Sequence, residues 1–229
     1  MWQLDLDTFF FGYFPYLAVV VFLVGSFARF EREQYTWKSE SSQLLKRSTL
    51  RWGSNLFHIG ILSLMATHLV GLLTPLAVFH AFGITVAMKQ LMAIIGGAVL
   101  GLTCLAGMLL LIWRRISEPR IWAVTRNADI VTLLWLLMTL GLGLLTIFTS
   151  IQHKDGHTML ALMDWAKHIV TLQTDAASFM KDVPLVYKAH MIMGMSLFIL
   201  FPFTRLVHVF SGFGAVTYLV RSWQLVRGR

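Results

Sequence analysis

Four of the chain's eight histidines fall inside long apolar stretches: His58 and His68 in NLFHIGILSLMATHLVGLLTP, and His190 and His208 in the apolar run 185–210. Ionisable side chains within membrane-spanning segments are rare and usually functional. Two imidazoles on opposite helices at one depth are what a b-type haem takes, one nitrogen above the iron and one below. With both axial positions filled, such an iron carries electrons rather than binding oxygen or substrate. Each ligand's remaining N–H needs an acceptor that fixes the tautomer; Pro202 in LFPFTRL is expected to bend its helix, and the carbonyls exposed by that kink are candidates for His208. Gly60, Gly71 and Gly194 lie close in sequence to three of the four histidines, where a flat ring must approach a backbone.

Two other classes compete with this reading. A proton channel or transporter built on histidines needs charged partners beside them, and Asp and Glu are absent from both histidine-bearing runs. A haem-free membrane anchor would hold histidines for structural reasons only, and nothing would then require two matched levels.

The elements that position these residues follow from composition. Of 229 residues, 57% are hydrophobic and 13% charged, where a soluble domain carries about 25% charge. Apolar runs occur at 9–29, 53–74, 86–113, 128–149 and 185–210, each near the roughly 20 residues that cross a bilayer as a helix. The expected fold is an all-α bundle of five transmembrane helices forming a single membrane domain over 1–229. The N-terminal segment MWQLDLDTFF has neither a basic region nor a small-residue cleavage site, so the first run is read as a permanent span. The lone Cys104 excludes an internal disulfide and a cysteine-held iron–sulfur cluster within the chain, and reads as a small buried side chain. No phosphate-binding or dinucleotide-binding glycine pattern is present.

The net charge of +8 is distributed by side rather than gathered into a nucleic-acid footprint. Fourteen of the nineteen Lys and Arg lie between spans one and two, between three and four, or at the C-terminal end. The remaining five share the other side with six acids. The positive-inside rule then puts the N-terminus outside and the C-terminus in the cytoplasm. Span two runs outward and span five inward, so His58 faces His208 near the cytoplasm and His68 faces His190 near the outside. The eighteen residues from His190 to His208 make five whole helical turns, which predicts one shared face. Arg51, Arg114, Arg115 and Arg205 stand at cytoplasmic span ends, as topology anchors or as partners for haem propionates.

Ala93, Gly97 and Gly101 form a small-residue face on span three that lets helices approach closely. In the segment 150–184, Met159, Leu162, Met163, Ala166, Ile169 and Val170 recur at helical spacing. They predict an amphipathic helix that either anchors on the outer surface or roofs a site below it. His80, His153, His157 and His168 lie outside the spans and read as ordinary interfacial residues.

Over essentially its whole length the chain resembles the gamma subunit of respiratory nitrate reductase, a membrane cytochrome b. The resemblance rests on YFPYLAVVVFLVGSFARF, QYTWKSESSQLLKR, SNLFHIGIL, HLVGLLTP, the MKQ around Lys89, FILFPFTRLVHVF and the closing WQLVRGR. It implies two haems b, held by His58 with His208 on the cytoplasmic side and by His68 with His190 on the outer side. It implies an iron–sulfur (beta) subunit docked at the cytoplasmic face of a bacterial inner membrane, and beyond it a molybdenum (alpha) subunit that reduces nitrate. A quinol site is implied beside the outer haem, at His68, Gly71 and Lys89; by composition alone Lys89 equally reads as a lysine reaching for the interface. The nearest alternative is the cytochrome b of a sulfite- or heterodisulfide-type complex.

Overall fold

The computed structural model describes residues 5–33, 47–152 and 156–210. Lys38, Lys46, His153, Lys154, Asp155, Arg221, Arg227 and Arg229, on which part of the charge reading rests, lie outside the described residues. The regular elements among the described residues are all helical. Five helices are long and apolar enough to cross a bilayer: Leu6–Arg32, Ser48–Leu73, Val86–Ser117, Asn127–Gln152 and Leu185–Phe203, here spans one to five. Each matches one expected apolar run. The first four extend a few residues past it, because backbone hydrogen bonding continues through polar turns that hydropathy excludes.

Span five, taken from here on with the turns that continue it to residue 210, departs from expectation. The run 185–210 is an α-helix over Leu185–Leu200, a 3-10 turn over Phe201–Phe203, an extended Thr204 (φ −124°, ψ 177°), and a second 3-10 turn over Arg205–Val207 that leads into His208. Five unbroken turns between His190 and His208 therefore do not exist, because Pro202 has no N–H to continue the ladder. The carbonyls of Pro202 and Thr204 both accept from Arg29 Nη1 at 2.7 Å, so Arg29 takes two of the carbonyls at the break.

Two other prolines likewise open a carbonyl to a side chain on another element. Pro15 cannot donate to the carbonyl of Phe11 four residues back; the backbone there is a π turn over Phe9–Tyr13, and Trp165 Nε1 donates to Phe11 at 2.9 Å. Pro75 cannot donate to the carbonyl of Gly71 at the end of span two, and Lys89 Nζ does so at 2.8 Å.

Spans two and three touch backbone to backbone. A Cβ added at Gly60 would lie 2.6 Å from Cys104 N, and one at Gly107 would overlap Phe57 N. Gly60 thus receives span three, which corrects its expected place under a flat ring; Gly71 and Gly194 do face open space. Gly101 meets Leu144 of span four, where the small-residue face is used. Cys104 is buried with Met108 and Leu140, as a small core side chain.

The amphipathic helix spans His157–Val170 and turns inward, entering through the left-handed Gly156 (φ 75°). Its Trp165 and Ala166 join a buried cluster with Phe11, Met180 and Val183. Tyr16 Oη donates to the Ile169 carbonyl at 3.0 Å, and Lys188 pairs with Asp7 at 2.6 Å, which ties the same end of spans one and five together. Val170, expected on the apolar face, is exposed because the helix ends there. Of the two readings of this segment, the packing takes the roof. The roof marks one end of the bundle, and Arg29, Arg114, Arg115 and Arg205 mark the other.

Candidate functional site

The structure brings the four intramembrane histidines together as two pairs. His58 and His208 have ring centres 6.0 Å apart near the arginine end, and His68 and His190 have ring centres 6.1 Å apart toward the roof. In all four, Nδ1 donates to a backbone carbonyl: His58 to Ser54 at 2.8 Å, His68 to Leu64 at 2.6 Å, His190 to Thr139 at 2.9 Å and His208 to Arg205 at 2.6 Å. That bond fixes the Nδ1–H tautomer and leaves the lone pair on Nε2 for a metal. The broken segment after Pro202 thus supplies His208 with its acceptor, the Arg205 carbonyl.

These residues fit a haem. Two imidazoles bound to one metal at about 2.0 Å from each nitrogen, with roughly 1.1 Å more to each ring centre, stand about 6 Å apart, as both pairs do. Among the described residues no group of three or more His, Cys, Asp or Glu gathers to hold a bare ion. Two imidazoles per level suit a metal whose other ligands come from a macrocycle.

A cavity of about 310 Å³ lies under the roof at the level of His68 and His190, between spans two, three, four and five. Its lining is mostly apolar or glycine, with Met159, Leu162 and Trp165 contributed by the roof helix. Its polar groups are few and fixed. Gln90 Nε2 donates to the Ser150 carbonyl at 3.0 Å, Ser150 Oγ and Tyr187 Oη are 2.8 Å apart, and Tyr187 Oη donates to Thr146 O at 3.2 Å. Among the described residues, no carboxylate lines it.

Lys89 is only 6% exposed, so it does not reach for the membrane interface. Thr85 caps span three by accepting from Met88 N, which starts the helix just ahead of Lys89 and turns the lysine into the cavity wall. Its ammonium is held by the Gly71 carbonyl, lies 3.8 Å from Met159 Sδ and sits 4.8 Å from the centre of the Phe79 ring. His68, Gly71 and Lys89 therefore border one cavity. His68, which lines the same cavity, is itself exposed.

The arginine end is organised by a residue that the sequence reading did not single out. Asp129 is 8% exposed; its carboxylate lies 2.9 Å from Arg205 Nε and 3.6 Å from Arg115 Nη1. It also accepts from Arg126 N at 3.1 Å, the return bond of a helix-capping box. Of the four arginines considered for propionates, Arg115 and Arg205 thus converge on Asp129, Arg114 is buried and Arg51 is exposed. The signal for Asp129 was a lone acid in the first turn of span four, in a segment otherwise rich in arginine. The roles of Trp165 and Lys89 as carbonyl caps could likewise have been sought four residues before Pro15 and Pro75.

A sequence-family profile described as nitrate reductase gamma subunit matches residues 7–229. The chain is 45% identical over 224 residues to the respiratory nitrate reductase 1 gamma chain of Escherichia coli, covering 98% of each. It is 43% identical over 225 residues to the respiratory nitrate reductase 2 gamma chain of that organism, again covering 98% of each. It is 38% identical over 218 residues to the nitrate reductase gamma chain of Bacillus subtilis, covering 95% of this chain and 96% of the relative.

Proposed function

We propose, from the premise that this chain belongs to the nitrate reductase gamma subunit family, that it is a di-haem, quinol-oxidising electron carrier. It is a multi-pass protein of the inner membrane and, as a gamma chain, associates with the other subunits of a nitrate reductase, an oxidoreductase complex. The observation that carries the proposal is the pair of facing imidazole couples, each 6.0 to 6.1 Å across with every Nδ1 on a carbonyl, at two levels of one bundle. His58 and His208 hold one haem b; His68 and His190 hold the other. Bound haem supplies one-electron carriage without an open coordination site.

The cavity gives the carrier its entry point. A quinol is apolar over most of its surface, reaches the cavity from the lipid, and meets a fixed ammonium at Lys89 beside His68 and Gly71. The Lys89 N–H groups donate to a quinol oxygen and hold it against the roof-side histidine pair, while the apolar roof excludes bulk water. Oxidation of one quinol to quinone releases two protons and two electrons. The charge asymmetry of the sequence puts the roof end outside and the arginine end in the cytoplasm. Protons are then released outside, and electrons leave at the arginine end to a docked iron–sulfur subunit and onward to a molybdenum subunit that reduces nitrate. An electron moving inward works against the membrane potential by about 2.3 kcal/mol per full crossing per 100 mV, so the final acceptor must lie well above the quinol couple in potential.

The test is optical. In membranes holding the whole complex, a quinol analogue is expected to reduce b-type absorbance and nitrate to reoxidise it. Absence of b-type absorbance, or absorbance that neither reagent moves, refutes the proposal.

A further inference from the structure

Three of the four histidines orient their N–H on their own stretch of chain, three or four residues back: His58 on Ser54, His68 on Leu64 and His208 on Arg205. Those bonds form as soon as the local backbone forms. Among the bonds of these Nδ1 atoms to the described residues, that of His190 reaches to another span, donating at 2.9 Å to the Thr139 carbonyl of span four. It can do so because position 143, one turn along from Thr139, is glycine. A Cβ built there would lie 2.9 Å from His190 Cε1, 3.3 Å from Nδ1 and 3.5 Å from Nε2, directly against the imidazole. The gap is specific to that position, since a Cβ at Gly141 meets nothing within 4 Å. A third group fixes the same seam. Trp135 Nε1 on span four donates to Met193 O at 3.2 Å and to Ser196 Oγ at 2.9 Å on span five, one and two turns beyond His190.

We infer that Thr139 and Gly143 of span four form the seat that orients His190, so that Gly143 and Trp135 are positioning residues for the roof-side haem alone. The inference rests on the two-haem proposal. A ligand imidazole that gives its N–H to a carbonyl is a more basic donor and favours the oxidised metal. For His190 that bond is set by how spans four and five fit together. For the other three ligands it is set within one segment. Disturbing the seam must therefore raise the reduction potential of the roof-side centre and leave the arginine-end centre where it was.

The experiment compares Gly143→Ala, Gly141→Ala and Trp135→Phe in the whole complex, in membranes, by optical redox titration and by the electron paramagnetic resonance of the low-spin haems. Gly143→Ala is expected to shift the redox equilibrium of one haem about tenfold toward reduction, which is about 59 mV for a one-electron couple, and to alter its low-spin signal. The other haem stays fixed, and Gly141→Ala changes neither. Trp135→Phe keeps an aromatic side chain, though a smaller one, and removes both hydrogen bonds; a smaller upward shift at the same haem is expected, so the inference can be tested even if Gly143→Ala does not accumulate. It is overturned if Gly143→Ala matches Gly141→Ala at that haem, if both haems move together, or if Trp135→Phe moves neither. Failure to see two low-spin haems in the unaltered complex would instead overturn the two-haem proposal before any variant is compared.

Discussion

Replacing Lys89 by methionine separates a structural lysine from a quinol-binding one. Methionine is unbranched, of similar length and suited to irregular apolar space, so the wall of the cavity stays filled while every N–H donor at that position is lost. Lys89 is 6% exposed and, among the described residues, faces no carboxylate across the cavity, so a hydrogen bond from it to a ligand oxygen is made in a dry, low-dielectric setting. A hydrogen bond from a charged donor contributes about 1.5–3 kcal/mol, and each 1.4 kcal/mol is tenfold. The affinity for a quinol analogue is then expected to fall roughly ten- to hundredfold. The same change removes the donor to the Gly71 carbonyl, which Pro75 cannot replace; the neighbouring end of span two loses some stability, but neither haem loses a ligand. The assay is an equilibrium titration of the complex with a quinol-site inhibitor, alongside the haem content of the same preparation. Unchanged inhibitor affinity with both haems present would show that Lys89 only caps the end of span two, and the proposed site would lose its polar anchor.

Other expectations follow from the same geometry. His68→Leu or His190→Leu should remove the roof-side haem and quinol oxidation while sparing the other haem; difference spectra and redox titration check this, and loss of the arginine-end haem alone would contradict the pairing. Asp129→Asn leaves Arg205 and Arg115 without their shared carboxylate. Breaking a fully buried ion pair costs about 3–5 kcal/mol, and because both arginines are about a quarter exposed the expected loss is nearer 1–3 kcal/mol after discounting for solvent, read as a lower Tm of the detergent-purified complex. Gly60→Ala should cost about 1–3 kcal/mol through overpacking, because its Cβ falls 2.6 Å from Cys104 N, whereas Gly96→Ala meets nothing within 4 Å and should be tolerated; equal thermal stability of the two would contradict the backbone-to-backbone contact of spans two and three.

The five spans were legible because about twenty consecutive apolar residues have few other uses, and each apolar run became a span. That His58 would meet His208 and His68 would meet His190 was legible for a similar reason, since an imidazole at membrane depth is costly without a partner. The shape of span five was only half legible. Pro202 announced a bend, but not an extended Thr204, and that Arg29 would take the carbonyls of Pro202 and Thr204 depended on a side chain 173 and 175 residues away. Asp129 was passed over because arginines at span ends read as anchors, and only the packing of spans three, four and five brings Arg115 and Arg205 to one acid. Gly60 was misassigned for a related reason: glycine marks close approach by something, and sequence does not say whether by a cofactor or by a helix. The cavity gathers residues from four spans and the roof, so Lys89 could be named from the resemblance but its hold on Gly71 could not.

The central claim is that each chain holds two haems, each between one histidine of span two and one of span five. The direct measurement is the haem-to-protein ratio of the purified complex by pyridine haemochrome assay, with quantitative amino-acid analysis for this chain. Two haems b per chain is the predicted result, falling to one in His58→Leu and in His190→Leu. A ratio of one or none in the unaltered chain would contradict the account.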